Sequence, residues 1–375
     1  MCAHQVEGNN VLNDWWEFEH REDTPCVEPS LDACDFYHLY PEDIKLAKSL
    51  GFNTFRFSVE WSRIEPDEGY FSRAELNHYR RVLGCIKDEG MDTNVTFHHF
   101  STPIFATRNG TFQDPLIVDR FAKYVEATSK VLGDLIDFAV TINEPNIVAV
   151  MGYRLGMFPP GVSDKDARLE ATRNLIKAHS IGFELIKSAN SRTKAGLALS
   201  MSDYQAAEGG EERLEKIRGI MEDVYLENVR NNDFIGVQTY SRTRIAKSGV
   251  HIRPELNVTE MGYEIYPEAL GATIRRAHSM TGLPVLVTEN GISPVDDDDE
   301  IRVSFISKAV ETVYKAIAEG IPVLGYTYWS LLDNFEWVLG YRPHFGLVAV
   351  DRESFARKVK PSGYFLGEIA TKNEI

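Results

Sequence analysis

The feature that most limits the fold is an alternation of two hydrophobic periodicities along the whole chain. Short apolar runs rich in β-branched residues lie at Ala3–Val6, Phe52–Val59, Met91–Phe97, Ile136–Ile142, Ala195–Met201, Phe234–Thr239, Leu283–Thr288 and Val323–Trp329. Segments of helical period fall between and after them, at Pro41–Leu50, Arg73–Glu89, Pro115–Leu132, Lys165–Ala189, Glu211–Arg230, Pro267–Thr281, Glu300–Glu319 and Ser362–Thr371. Continuous rather than alternating apolar runs mark strands buried on both faces, as in a parallel sheet. Eight strand–helix repeats, with no Gly/Ser linker between them, predict an α/β fold. The expected architecture is a single (β/α)8 TIM barrel spanning residues 1–375, with its active site at the C-terminal ends of the strands. An open doubly wound sheet would carry a glycine-rich phosphate loop after an early strand, and the sequence has none. The first strand is the shortest, so the barrel is expected to begin almost inside it.

Two strand ends carry the chemistry. Ile136–Glu144 (I-D-F-A-V-T-I-N-E) delivers Asn143 and Glu144 and is stopped by Pro145. Leu283–Ile292 (L-P-V-L-V-T-E-N-G-I) delivers Glu289 in the same way. A carboxylate at the end of a buried strand is costly unless it is used or paired. Either Glu alone reads equally well as a helix N-terminal acid or a loop charge. Two in matching contexts point to a paired-carboxylate site.

The other strand ends supply Gln5 and Glu7, Arg56 with Glu60 and Trp61, His98-His99-Phe100, Gln238 and Tyr240, and Trp329 followed by Glu336 and Trp337. Aromatic faces beside amide, imidazole and carboxylate groups suit a sugar: its C–H faces stack on rings and its hydroxyls are hydrogen-bonded at their edges. Trp61 and Phe100 also read as core. One of the two adjacent histidines is expected to be structural, because neighbours on a strand face opposite ways. Zinc would need a third ligand at recognisable spacing, which does not follow. Arg56 inside an apolar strand requires a carboxylate partner, for which Glu289 is a candidate.

A net charge of −16, from 40 basic and 56 acidic residues, argues against nucleic acid and anionic membranes as partners. The D-D-D-D-E run at 296–300 reads as a solvated loop or a helix N-terminal cluster, without the spaced ligands and Gly of a calcium loop. Four cysteines (Cys2, Cys26, Cys34, Cys85) form no C-x-x-C pair, which points to a reducing compartment. No run of 18 apolar residues occurs and M-C-A-H-Q-V-E-G is no signal peptide, so a soluble cytoplasmic protein is expected.

Seven pieces together resemble the family 1 glycoside hydrolases, the β-glucosidase and β-galactosidase family, over essentially the whole chain. They are A-H-Q-V-E-G at 3–8, R-F-S-V-E-W-S-R-I-E-P at 56–66, H-H-F at 98–100, T-I-N-E-P-N at 141–146, D-F-I-G-V-Q-T-Y at 233–240, V-T-E-N-G-I at 287–292 and Y-W-S-L-L-D-N-F-E-W at 328–337. The resemblance implies Glu144 as general acid/base and Glu289 as nucleophile. It implies Asn143 on the sugar 2-hydroxyl, with Arg56 and Tyr240 holding Glu289. Gln5, His99, Glu336 and Trp337 would bind the remaining hydroxyls above a Trp329 platform.

The implied function is retaining hydrolysis of terminal non-reducing β-D-glucosyl residues, with galactosyl and fucosyl residues as further substrates. Its partners are β-glycosides and short oligosaccharides, and assembly into a homo-oligomer is compatible with the sequence. No metal or organic cofactor is required. A 6-phospho-β-glycosidase, a transglycosylase and a catalytically silent sugar-binding protein are the alternatives. The first needs cations where Glu336 stands, and the last would have lost a catalytic glutamate.

The sequence also departs from the family pattern. Gln238-Thr239-Tyr240 replaces the usual Asn-Tyr-Tyr, and Phe112 and Tyr263 stand where Trp is common. By this resemblance a truncated first strand, without the usual segment upstream of it, is expected. The chain is shorter than most members, and the missing length is expected in the loops that wall the aglycone side.

Overall fold

The computed structural model describes residues 1–250 and 258–374. Seven of the eight expected strands form: β1 (Thr54–Ser58), β2 (Asp92–His98), β3 (Phe138–Asn143), β4 (Lys194–Ser200), β5 (Phe234–Gln238), β6 (Val285–Glu289) and β7 (Val323–Tyr326). The main helices are α1 (Phe36–Ser49), α2 (Arg73–Asp88), α3 (Leu116–Leu132), α4 (Lys165–Ala189), α5 (Glu211–Arg218), α6 (Ala269–Thr281), α7 (Asp299–Ala318) and α8 (Pro361–Lys372). The chain divides into two compact units. The first is Met1–Leu197 with Asn334–Tyr341 and Val350–Arg357; the second is Ala198–Asp333 with Arg342–Ala349 and Lys358–Ile375.

In the first unit, β1, β2 and β3 pair in parallel and in chain order, with Phe57 opposite Val95 and Thr96 opposite Val140. After its first residue β3 is buried throughout and ends in the polar Asn143. Helix α2 is set by a Ser72 cap that accepts from Glu75 N, and it turns Leu76, Tyr79, Val82, Leu83 and Ile86 inward. Trp61 is core, as one reading had it. It is buried, stacks on Tyr124 at 5.0 Å and donates from Nε1 to Glu65.

In the second unit, β5, β6 and β7 pair in parallel, with Val237 opposite Val287 and Tyr326 opposite Val287 on the other side. Every residue of β5 and β6 is buried. Their terminal residues, Gln238 and Glu289, are therefore polar tips on apolar strands.

The expected strand at Ala3–Val6 is instead a single helical turn, closed by Glu7 N donating to Ala3 O at 2.8 Å. The strand-type pairing falls to Met1. Its amino group donates to Arg56 O at 2.7 Å and its carbonyl accepts from Ser58 N at 3.0 Å, a parallel bridge around Phe57. Four residues carry too little period to separate a strand from a helical turn. Two helices also differ from expectation. Helix α1 begins at Phe36 and contains Pro41. The helix expected over Glu211–Arg230 ends at Arg218, passes through a π-helical stretch at Gly219–Asp223 and resumes only for Val224–Leu226.

The acidic run is spent on local structure. Asp298 caps α7 through Glu300 N and Ile301 N. Asp297 pairs with the fully buried Arg302 at 2.5 Å and with Lys360 at 2.9 Å, and Asp299 binds Arg302 and Ser362.

Candidate active site

In the first unit β3 ends at Asn143, and Glu144 follows with a left-handed backbone (φ +44°). The Glu144 carbonyl accepts from Ile147 N at 2.9 Å, so the residue sits at the mouth of the Pro145–Ile147 turn. A non-glycine residue in this region costs about 1–3 kcal/mol and is found where the surroundings fix a side chain for use. Asn143 Oδ1 accepts from Arg56 Nη2 at 2.6 Å, and both residues are buried.

Gln5, fully buried, donates from Nε2 to Phe335 O at 2.7 Å, Asn334 Oδ1 at 3.2 Å and Glu336 Oε2 at 3.3 Å. Its Oε1 is buried without a partner among the described residues. A buried acceptor left open in this way is costly unless a ligand hydroxyl fills it.

The two histidines separate as strand alternation requires. His98 is enclosed by Trp61, Phe112 and Phe121, and its Nε2 lies 3.2 Å from Thr102 Oγ1. Burial pushes its pKa down to about 3. His99 lies beside Trp337, with ring centroids 6.4 Å apart and 28° between planes. Burial, reinforced by the Arg56 charge, holds its imidazole neutral. Trp337 also stacks on His4 at 5.9 Å and meets Trp15 at 4.4 Å. His4 is fixed by Asn13, 2.9 Å away, and by Glu19 at 3.3 Å.

In the second unit both oxygens of Glu289 are held. Oε1 accepts from Gln238 Nε2 at 2.8 Å and Oε2 from Tyr240 OH at 2.6 Å. The segment between these donors is anchored by Asn290 Nδ2, which donates to Thr239 O at 2.6 Å, and Tyr326 OH donates to Asn290 Oδ1 at 2.8 Å. Trp329 hangs on the same turn. Its N–H donates to Asn290 O at 2.9 Å, and its carbonyl approaches Gly291 so closely that a Cβ there would lie 2.0 Å away. The Tyr263 ring, 42% exposed, lies 6.5 Å from that of Tyr240.

The sequence-predicted residues therefore meet in groups: Gln5 with Glu336, His99 with Trp337 and Arg56 with Asn143 in one unit, and Glu289 with Tyr240 in the other. Sequence reasoning had noted Gln238 as a departure without placing it on Glu289. Its place at a strand end and its extra methylene were the available signals. His4, Asn13 and Glu19 behind Trp337 were missed, although His4 stands beside Gln5 in the A-H-Q-V-E-G motif.

A carboxylate gripped at both oxygens keeps one orientation toward a substrate, as a nucleophile must. The chain is similar to known β-glucosidases and β-glycosidases. β-Glucosidase A of Acetivibrio thermocellus is 30% identical over 432 aligned positions, covering 99% of this chain and 96% of its own length. Those positions exceed the 375 residues of this chain by 57 (432 − 375), so the chain is the shorter through internal gaps. Among solved structures, β-glycosidase BGL167 superposes with a TM-score of 0.93 at 40% identity, covering 100% of this chain and 95% of that one. The family 1 β-glucosidase of Thermotoga maritima gives 0.92 at 27%, covering 100% and 97%. The fold class is accordingly the (β/α)8 barrel. The model of glycosyl hydrolase family 1 matches residues 2–238 and 222–375, and the chain belongs to that family.

Proposed function

We propose that the protein is a retaining β-glycosidase that removes terminal non-reducing β-D-glucosyl residues, the whole chain acting as one catalytic domain. The observation that carries this reading is the two-point grip of Gln238 and Tyr240 on Glu289, at the tip of a fully buried strand. Glu289 attacks the anomeric carbon from the α-face as its carboxylate. Glu144 gives its proton to the departing aglycone oxygen, so that a glycosyl–Glu289 ester and a free alcohol result. Glu144, now ionised, takes a proton from water. The water oxygen attacks the anomeric carbon, the ester bond breaks, and the β-sugar leaves with both carboxyl groups restored.

Gln5 receives a sugar hydroxyl at its open Oε1, and Glu336 shares the ligand through the Gln5 amide. Charge-assisted bonds from Glu336 favour neutral hydroxyls and repel a 6-phosphate. The test is proton NMR of the first product released from 4-nitrophenyl β-D-glucoside. The β-anomer is expected; an α-anomer appearing first overturns the proposal.

A further inference from the structure

The second unit contains a cavity of about 320 Å³ between α6, the strand Asp203–Ala206 and α5. This lies within the range of about 300–1,000 Å³ typical of small-molecule sites. We propose that it is a second binding site for a neutral polyhydroxylated ligand of monosaccharide size, coupled to Glu289 through residues 238–241. The coupling rests on the function proposed above; the binding does not.

Charge decides the ligand class. Three arginines line the cavity, yet each is already engaged. Arg275 makes two 2.6 Å bonds to Glu319. Arg276 binds Glu222 at 2.6 Å and also Asp223. Arg218 donates to Tyr204 O at 2.9 Å and lies 3.6 Å from Glu215. The wall itself carries these three arginines and one acid, Asp203, but the partners Glu319, Glu222, Asp223 and Glu215 offset the guanidinium charges, so an anion gains little net attraction. A cation would meet guanidinium groups.

What remains open is hydrogen bonding. Arg218 Nε is a buried donor without a partner among the described residues. The hydroxyls of Tyr204 and Ser279 can each donate and accept, and that of Ser202, which already donates to Ser241 O, can accept. Burial and the nearby Glu222 push the Tyr204 phenol up, so it stays a neutral donor. The Tyr204 ring and Met280 offer apolar surface beside these groups. A molecule with hydroxyls at its rim and C–H faces answers all of this, whereas a purely apolar one leaves Arg218 Nε unsatisfied.

The coupling follows from the walls. Thr273, on the cavity, is hydrogen-bonded through its hydroxyl to that of Thr239 at 2.7 Å. Thr239 stands between Gln238 and Tyr240, the two groups that hold Glu289. On the opposite wall Ser202 Oγ donates to Ser241 O at 3.2 Å, and the preceding Met201 N donates to Gln238 O at 2.8 Å. A ligand pressing on Ser202 or Thr273 therefore acts on both ends of the segment that orients the carboxylate. Through Thr239 it reaches Asn290 as well.

The experiment uses D-glucose as probe and separates this site from the catalytic one. Glu289 is first blocked covalently with 2-deoxy-2-fluoro-β-D-glucosyl fluoride. Failure to label would count against the proposed function and leave the comparison below intact, because it is also made on the unlabelled chain. Calorimetry then follows D-glucose binding to wild type, Ala272→Phe and Ser279→Trp, the two variants filling the cavity from positions with no part in catalysis. One D-glucose is expected to bind the labelled wild type, with at least tenfold loss in each variant that keeps its melting temperature. In unlabelled protein D-glucose should change kcat at saturating substrate in wild type only. A labelled wild type that takes up no D-glucose, or two folded variants that bind it unchanged, overturns the site. A kcat effect that survives cavity filling overturns the coupling.

Discussion

Gly291→Ala is the substitution with the clearest structural consequence. A Cβ at this position would lie 2.0 Å from Trp329 O and 3.0 Å from Trp329 C, and real Cβ atoms essentially never come closer than 3.0 Å. The backbones must therefore part by at least 1.0 Å (3.0 − 2.0), which strains the Trp329 N–H bond to Asn290 O, now 2.9 Å. Trp329 is the expected sugar platform and Asn290 follows Glu289, so the displacement separates two parts of one site. A misplacement of about 1 Å costs on the order of 10²-fold in rate, equivalent to about 2.7 kcal/mol of transition-state free energy. The assay is kcat/KM on 4-nitrophenyl β-D-glucoside, with melting temperature recorded to score folding. Gly84→Ala is the control: its Cβ would meet nothing within 4 Å. It lies inside α2, where the exchange should add about 0.5–1 kcal/mol of stability and leave kinetics alone. A folded Gly291→Ala with kcat/KM within threefold of wild type refutes the reasoning.

Three further outcomes follow from the same geometry. Gln238→Leu removes a buried bond to a carboxylate, worth about 1.5–3 kcal/mol. It should lower kcat by about ten- to a hundredfold with a smaller effect on KM; an unchanged kcat would show that Tyr240 alone orients Glu289. His98 has its pKa depressed to about 3 by burial, while the unfolded chain takes up a proton near pH 6.5. Stability due to this group is therefore complete above about pH 6.5 and is lost as pH falls toward 3, by up to about 1.4 kcal/mol per unit. Urea midpoints of wild type and His98→Phe should accordingly drift apart in the wild type's disfavour below pH 6.5, and parallel curves would contradict a neutral buried imidazole. Finally, 4-nitrophenyl β-D-glucoside should be cleaved with higher kcat/KM than its 6-phosphate if, as proposed, Glu336 faces the sugar hydroxyls; the reverse order would exclude that placement.

The strand ends were legible because parallel strands buried on both faces leave continuous apolar runs, and a polar residue at the end of such a run stands out. Glu144, Glu289 and Asn143 were found this way; alternation showed that one of the two histidines would be structural, and only the resemblance pointed to His99 as the other. Ala3–Val6 was misread because four residues cannot show a period, and the strand-type pairing is made by Met1 two positions earlier. Pro41 read as a helix start because proline favours the first turn, whereas α1 carries it as its sixth residue. The grip of Gln238 on Glu289 was hidden for another reason. It depends on one methylene and on the register of β5 against β6, which pairs Gln238 with Glu289 only after an irregularity at Val237. Likewise Thr273 reads as an ordinary polar residue on α6, and only the fold brings its hydroxyl to Thr239.

The central claim is that Glu289 is the nucleophile of a retaining glycosidase. It is tested most directly by incubating Glu289→Gly with 2,4-dinitrophenyl β-D-glucoside and sodium azide. The variant lacks the carboxylate that Gln238 and Tyr240 hold, and azide can enter the space it leaves on the α-face. Proton NMR should then identify α-D-glucosyl azide as the product. A β-D-glucosyl azide from this variant would mean that Glu289 is not the attacking group, and the account of the site would fail.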